Sequence, residues 1–407
     1  MGFLRERQPH HVQNFVWLAI GSIALLLTAS ACGGGGAASS QSGGSKSTFQ
    51  VDVLASLTGA VGSPGQATAV QAAIDQVNAN GGVNGHQIQV KVLDDQSSTS
   101  VAPANATKAI ADQPVAIFDV SGSAELAAAM PVLSSAKIPV LSPFALQLGY
   151  YPWLYGFGPT PAQQAHGFAG AVESALGTST LTGKRVDILV LNTPSSEAIG
   201  AATKAAIQQE GGTVPETVQQ PITAVSFASG AAKVVADNAD AITVNGSPAT
   251  TVLVAKALVG AGYKGAIVVP YSASDDVTFK TVNSANFFGL RADTNADPGT
   301  AMGNAVSQFK LTADPNDPEF GLVWGLTYTL AMSLQKCGDT CSPSALENAL
   351  DGLGTYNVPG SDFPYGGLFL SKTVHNVLVK EQLFRWDSAT NTAVKFGPVV
   401  DFGPPNY

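Results

Sequence analysis

From Phe49 onward the spacing of apolar residues switches repeatedly between alternation and a helical period of about 3.6. That rhythm predicts strands alternating with helices, an arrangement that buries both faces of a parallel sheet. Strands are expected over 49–56, 87–93, 115–120 and 138–141, with helices over 66–80, 101–111 and 124–137. These make one doubly wound unit. The Gly/Pro-rich run Tyr155-Gly-Phe-Gly-Pro-Thr-Pro161 then has the punctuation of a crossing between domains.

A second unit of the same kind follows, with helices over 163–176, 196–210, 227–238 and 250–260 and strands over 185–191, 213–219, 241–244 and 266–269. The expected fold class is therefore α/β, with two doubly wound parallel-sheet lobes. No motif recurs at a fixed period, so a solenoid is not expected. The last third breaks the alternation: helices over 300–311, 320–335 and 344–353 precede strands over 377–386 and 394–402. The apolar stretch 320–335 is short for a membrane span and includes Gly, Thr, Tyr and Ser, which favours a buried helix.

The N-terminus reads as an address. Arg5 and Arg7 precede an uncharged, largely apolar run over 15–31 that ends in small residues, the layout of an export signal over 1–31. Ala29-Ser-Ala-Cys32 resembles a bacterial lipobox, which would make Cys32 the lipidated first residue of the mature protein; an Ala stands at 29 where Leu is usual. An uncleaved anchor is the other reading of a run at the lower limit for spanning. Residues 32–48, rich in Gly, Ser and Ala, are expected to be a flexible tether with a reach on the order of 20 Å.

Composition narrows the partners. Lys and Arg total 20 against 29 Asp and Glu, a net charge of −9, so no basic excess exists to neutralise a phosphate backbone and nucleic acid is not an expected partner. With 45% apolar and 12% charged residues the chain is too apolar for disorder. Three cysteines and five histidines, clustered only at His10 and His11, do not suggest a metal site. No metal or cofactor is expected. Cys337 and Cys341 bracket a short loop and in an exported chain suggest a disulfide that pins it.

Ligands of open parallel sheets bind beyond the carboxyl ends of the strands. The segments there are rich in hydroxyl and amide groups: Ser56-Leu-Thr-Gly59, Ser121-Gly-Ser123, Ser142-Pro-Phe-Ala145, Asn192-Thr-Pro-Ser-Ser196, Asn245-Gly-Ser247 and Tyr271-Ser-Ala-Ser274. Such residues cap helices in any protein, and helix starts also attract anions. Catalysis finds less support. The chain has no nucleophile elbow, phosphate loop, dinucleotide fingerprint or zinc-protease helix. His86, His166 and His375 stand apart from one another, and Asp94 and Asp95 are neighbours on a strand end, where side chains alternate in direction. An enzyme is not expected.

Taken in order, Ser56-Leu-Thr-Gly59, Gly65-Gln66, the run from Ile74 to Gly85, Val92-Leu-Asp-Asp-Gln96, Ile138-Pro-Val-Leu-Ser-Pro143 and Pro161-Ala-Gln-Gln164 closely resemble the type I periplasmic binding proteins, the branched-chain amino acid (Leu/Ile/Val) binding family of ABC importers. The resemblance spans roughly Phe49 to Trp386. It implies two lobes joined by a three-strand hinge, with lobe 1 over 49–160 plus 291–353 and lobe 2 over 161–290 plus 354–407. It also implies a monomeric receptor that closes over a small solute and delivers it to an importer permease.

Carried over position by position, the resemblance places Ser123 near the serine of the third-strand loop. Phe144 and Leu146 stand where amino acid binders have a small residue and a Thr, and Ile199 and Pro64 stand where relatives have Tyr. Losing those hydroxyls implies a more apolar pocket. Asp119, Glu197, Asp275 and Asp276 are the candidate partners for a ligand ammonium. Tyr271, Phe144, Trp153 and Tyr155 are candidates for an aromatic wall, the last two alternatively packing in the crossing. The expected ligand-binding set is Ser123, Ser142, Phe144, Thr193, Asn245 and Tyr271. Two other functions fit the same scaffold: a solute sensor for a signalling partner, and a hydrolase with a nucleophile such as Ser123.

Overall fold

The computed structural model describes residues 47–59, 64–144, 151–221, 223–291, 301–310, 320–358, 368–376 and 380–401. All lie in Ser45–Tyr407, one compact unit. The export signal, Cys32, most of the tether and Leu146 fall outside the described residues.

The first sheet has the order β2-β1-β3-β4-β5, from β1 (Phe49–Ala55), β2 (Ile88–Asp94), β3 (Ala116–Val120), β4 (Val140–Ser142) and β5 (Leu154–Gly156), and every pairing is parallel. Helices α1 (Pro64–Ala79), α2 (Ala102–Ala111) and α3 (Ser123–Ala136) supply the crossovers. Strand alternation sorts side chains cleanly between two faces. Val51, Val53, Ala55 and Phe118 join one core with Ile74 of α1, while Leu54, Ile117 and Val140 join another with Leu126 and Leu133 of α3.

The second sheet, β14-β13-β10-β9-β8-β6-β7, carries a parallel set of β6 (Val186–Leu191), β7 (Thr217–Gln220), β8 (Ala241–Asn245), β9 (Ala266–Val269) and β10 (Phe287–Arg291). An antiparallel pair, β13 (Lys380–Asp387) and β14 (Thr392–Asp401), extends it beyond β10. Helix α4 (Pro161–Leu176) leads from β5 into β6, and α5 (Pro194–Gln209), α6 (Ala228–Ala236), α7 (Pro248–Gly260) and α8 (Asp276–Val282) connect the parallel strands. Again two cores form: Ile188, Val190 and Val268 with Phe168 of α4, and Ile242, Val244 and Val269 with Val254 of α7.

Most expected elements appear within a few residues of their expected bounds. Several were not expected, three of them before the last third. β5 overlaps the start of the Gly/Pro-rich crossing, and α8 and β10 occupy a stretch for which the sequence pattern predicts no element. The last third, α9 (Ala301–Gln308), α10 (Phe320–Cys337), α11 (Pro343–Asp351), β11 (Gly354–Tyr356) and β12 (Leu368–Leu370), completes the first lobe. Residues 354–370 had been expected in lobe 2, yet Tyr356, Val358, Leu368 and Leu370 join the core formed by β1, α1 and α10. Helix α10 is a core helix, with Phe320, Trp324 and Leu330 wholly buried. No described helix is long and apolar enough to cross a membrane. Cys337, at the end of α10, is disulfide-bonded to Cys341.

Candidate functional site

Both sheets direct the carboxyl ends of their parallel strands toward hydroxyl-bearing loops, and each loop is held by a distinct hydrogen-bond scheme. After β1, the Ser56 hydroxyl donates to Asp95 at 2.6 Å. Asp94 accepts from the Leu57 amide at 3.0 Å, the Thr58 hydroxyl at 2.6 Å and the Gln96 amide at 2.9 Å. Burial works against the Asp94 charge, but these bonds prevail and hold its carboxyl below the ordinary range. Asp94 and Asp95 thus serve as braces for the loop. Gly59 is required there: its φ is +101°, and a Cβ would lie 2.1 Å from the Gln96 carbonyl oxygen.

After β3 the chain turns through Gly122 into α3, which has no side-chain cap. Ser123 is the first residue of this helix and half-buried rather than its cap. Beneath it, Asp119 is wholly buried and accepts from the Ser121 amide at 3.1 Å. Burial pushes its carboxyl up to about 7 against the pull of the Ser121 amide and hydroxyl, and the charges of Asp95 and Glu125 push the same way. After β4, the buried Ser142 hydroxyl accepts from the Phe144 amide at 3.0 Å, and Phe144 packs partly against the core of β4 and α3.

In the second lobe, Thr193 caps α5 by accepting from the Ser196 amide at 3.3 Å. Ser196 is the organiser that sequence reasoning treated only as a helix start. Its hydroxyl accepts from the Leu191 amide at 2.8 Å and from Asn245 Nδ2 at 3.0 Å, and donates to the Asn245 carbonyl at 3.2 Å. The ends of β6 and β8 are thereby joined, bringing Thr193 and Asn245 into one cluster. Ser247 caps α7 in the same manner. Tyr271, in a 3-10 turn after β9, packs against the core of the first lobe and so bridges the two halves.

The candidate ammonium partners divide sharply. Asp275 caps α8, accepting from the Thr278 amide at 2.8 Å and hydroxyl at 2.5 Å. Asp276 pairs with Arg291 at 2.6 Å, and that guanidinium also lies over Phe279 at 5.1 Å and Phe384 at 4.7 Å. Glu197 is exposed and accepts from Gln219 at 3.3 Å. Asp119 lies under the loop surface. Three of the four therefore have structural work or no exposure. Tyr155 is wholly buried in β5, Trp153 belongs to the core beside α3, and Ile199 is buried in the core of β6 and α4. Trp153 and Tyr155 are therefore packing residues rather than wall. Among the described residues, no group of three His, Cys, Asp or Glu side chains is placed to hold a metal ion.

Two sheets whose parallel strands end in hydroxyl- and amide-bearing loops define a two-lobed α/β protein of the solute-binding type. The comparisons with known proteins agree. The family model described as periplasmic binding protein matches residues 48–391, and the chain belongs to that family. Its fold is the type I arrangement of the branched-chain amino acid binders.

Among solved structures, it is similar to a fatty acid ABC transporter substrate-binding protein from Thermomonospora curvata, at 19% identity and a TM-score of 0.71 over 87% of this chain and 92% of that one. It is likewise similar to the branched-chain amino acid transporter substrate binding protein LivJ from Streptococcus pneumoniae in complex with isoleucine, at 16% identity and a TM-score of 0.71 over 88% and 100%. A solute binding protein of an ABC transporter from Rhodopseudomonas palustris in complex with 3,4-dihydroxy benzoic acid matches at 18% identity and a TM-score of 0.70 over 87% and 97%. No curated protein matches the sequence significantly.

Proposed function

We propose that the chain is a lipid-anchored, extracytoplasmic receptor of an ABC importer, closing its two lobes over a small polar or amphipathic solute such as an amino acid, an amide or a small carboxylate. The observation that carries this reading is the pairing of polar strand ends: the Ser121–Ser123 and Ser142–Phe144 loops in one lobe, and the Thr193–Ser196–Asn245 cluster with Tyr271 in the other. Ser123, Phe144, Thr193, Asn245 and Tyr271 would line the cleft, with Ser142, wholly buried, holding the Phe144 backbone in place rather than facing solute. Solute would enter between the lobes and stabilise their closed arrangement by bridging them. The relatives of this fold bind isoleucine, a dihydroxybenzoate or fatty acid according to their descriptions, which supports a scaffold tolerant of both amino acid and carboxylate ligands. Cys32 would carry the lipid, and a permease would accept the solute.

The test is a titration of the soluble chain, followed by tryptophan fluorescence and melting temperature, against amino acids, their amides and small carboxylates. A saturable shift with one class, lost in Asn245→Ala, is the expected result. No response to any class would refute the reading. Metabolic labelling with a fatty acid, lost in Cys32→Ser, tests the anchor separately.

A further inference from the structure

The end of β5 and the described residues 375–376 run side by side, joined by a bridge between Gly156 and Asn376 and a bond from the Gly156 amide to the His375 carbonyl at 2.8 Å. At that point two successive side chains reach in opposite directions. His375 is buried in the first lobe: its ring stacks on Tyr155 with centroids 4.3 Å apart, and its Nδ1 lies 3.1 Å from the carbonyl oxygens of Tyr151 and Leu154. Its Nε2 lies 3.2 Å from Asp351, at the end of α11, and the Tyr155 hydroxyl donates to the same carboxylate oxygen at 2.8 Å. Asn376, wholly buried, reaches the second lobe, where its Nδ2 donates to Gln163 Oε1 at 2.5 Å. Gln163 is half of the capping box that starts α4, in which the Thr160 amide donates to the same Oε1 at 3.0 Å and the Thr160 hydroxyl accepts from the Gln163 amide at 3.2 Å.

We infer that His375 and Asn376 form a two-sided hinge clamp, one residue gripping each lobe, and that this clamp sets how far the lobes open before solute arrives. Rotation of one lobe against the other must be taken up by the backbone between these grips or by breaking one of them. The residues are positioning residues: both are buried, and they act through the relative placement of the two strand-end clusters. Because buried polar bonds of this kind are costly to break, the clamp biases the pair of lobes toward discrete arrangements rather than a continuum. The inference takes its biological meaning from the closing-receptor reading, but its measurement needs no solute, so the two fail separately.

The experiment places spin labels at Thr107→Cys on α2 and Lys204→Cys on α5, exposed positions in different lobes. The chain from Ser45 is used, since it is one compact unit that holds every hydrophobic core cluster found among the described residues. Pulsed dipolar spectroscopy then gives the inter-lobe distance distribution without solute. Asn376→Ala and Asp351→Ala are each expected to change the ratio of long to short distances by about fivefold or more. Val254→Ala, which opens a cavity under α7 in a core that holds no clamp residue, is expected to lower the melting temperature and leave the distances in place. If either alanine variant does not fold, Asn376→Ser and His375→Gln replace it and should shift the distribution in the same direction. Unchanged distances in folded clamp variants overturn the inference, as does an equal shift in Val254→Ala.

Discussion

Buried carboxyls in the strands give the fold a defined response to pH. Burial pushes Asp119 up to about 7, and pushes Asp52 and Asp187 up to about 6, with Asp112 raising Asp52 further and Asp237 raising Asp187. Unfolded carboxyls titrate near 3.9. Between roughly pH 4 and 7 the folded chain therefore retains protons that the unfolded chain has released, so stability falls as pH rises across that window. Melting temperature should decline from pH 5 to pH 8, and Asp119→Asn, which keeps an oxygen for the Ser121 amide, should flatten the decline and raise the pH 8 value. Thermal scans at several pH values check this; an unchanged slope in the variant would contradict the account. Gly59→Ala should cost about 1–3 kcal/mol, read from denaturant melts, since φ is positive and the Gln96 carbonyl occupies the space.

Elements were legible where their apolar period was long, and illegible where short pieces depended on distant partners. The strand β10 reads Phe-Phe-Gly-Leu-Arg, and its Gly289 looks like a break; in the fold it admits Ser274, whose Cβ would meet an added Cβ at 2.5 Å. β5 was hidden because its Gly156 was read as punctuation, whereas it pairs with Ser142 at the sheet edge. Helix α8 is short, and its start depends on Asp275, which sequence reasoning set aside for a ligand ammonium. Asp275→Ala should cost about 1 kcal/mol as the loss of a cap, while Asp275→Asn should be nearly neutral and leave solute binding intact. Loss of binding in a stable Asp275→Asn protein would restore the ligand role. The polar loops at strand ends were visible in advance, but the centrality of Ser196 was not, because its bonds to Leu191 and Asn245 cross from one strand end to another.

At the level of the whole molecule, the alternation of periods was sufficient to read two lobes, and the broken alternation of the last third concealed which lobe it served. Only the packing of Tyr356 and Leu370 on the core of β1 and α10 places 354–358 and 368–370 with the first. The disulfide at Cys337 and Cys341 closes a loop only a few residues long. Its joint replacement by Ser should lower stability by less than the about 3 kcal/mol expected for a 15-residue loop. A larger loss, measured by denaturant melts, would mean that the bond anchors α10 rather than its loop.

The burial of Trp324 and Phe320 among residues of β1 and α1 has a further consequence for how the molecule comes into being. A ribosome releases the strands of the first half long before the helix that seals them, so that half must wait, unfinished, while its companion is still being made. Assembly of the earlier lobe is thus the later event, and a nascent chain interrupted before residue 320 should remain open to proteases in the very region it produced first.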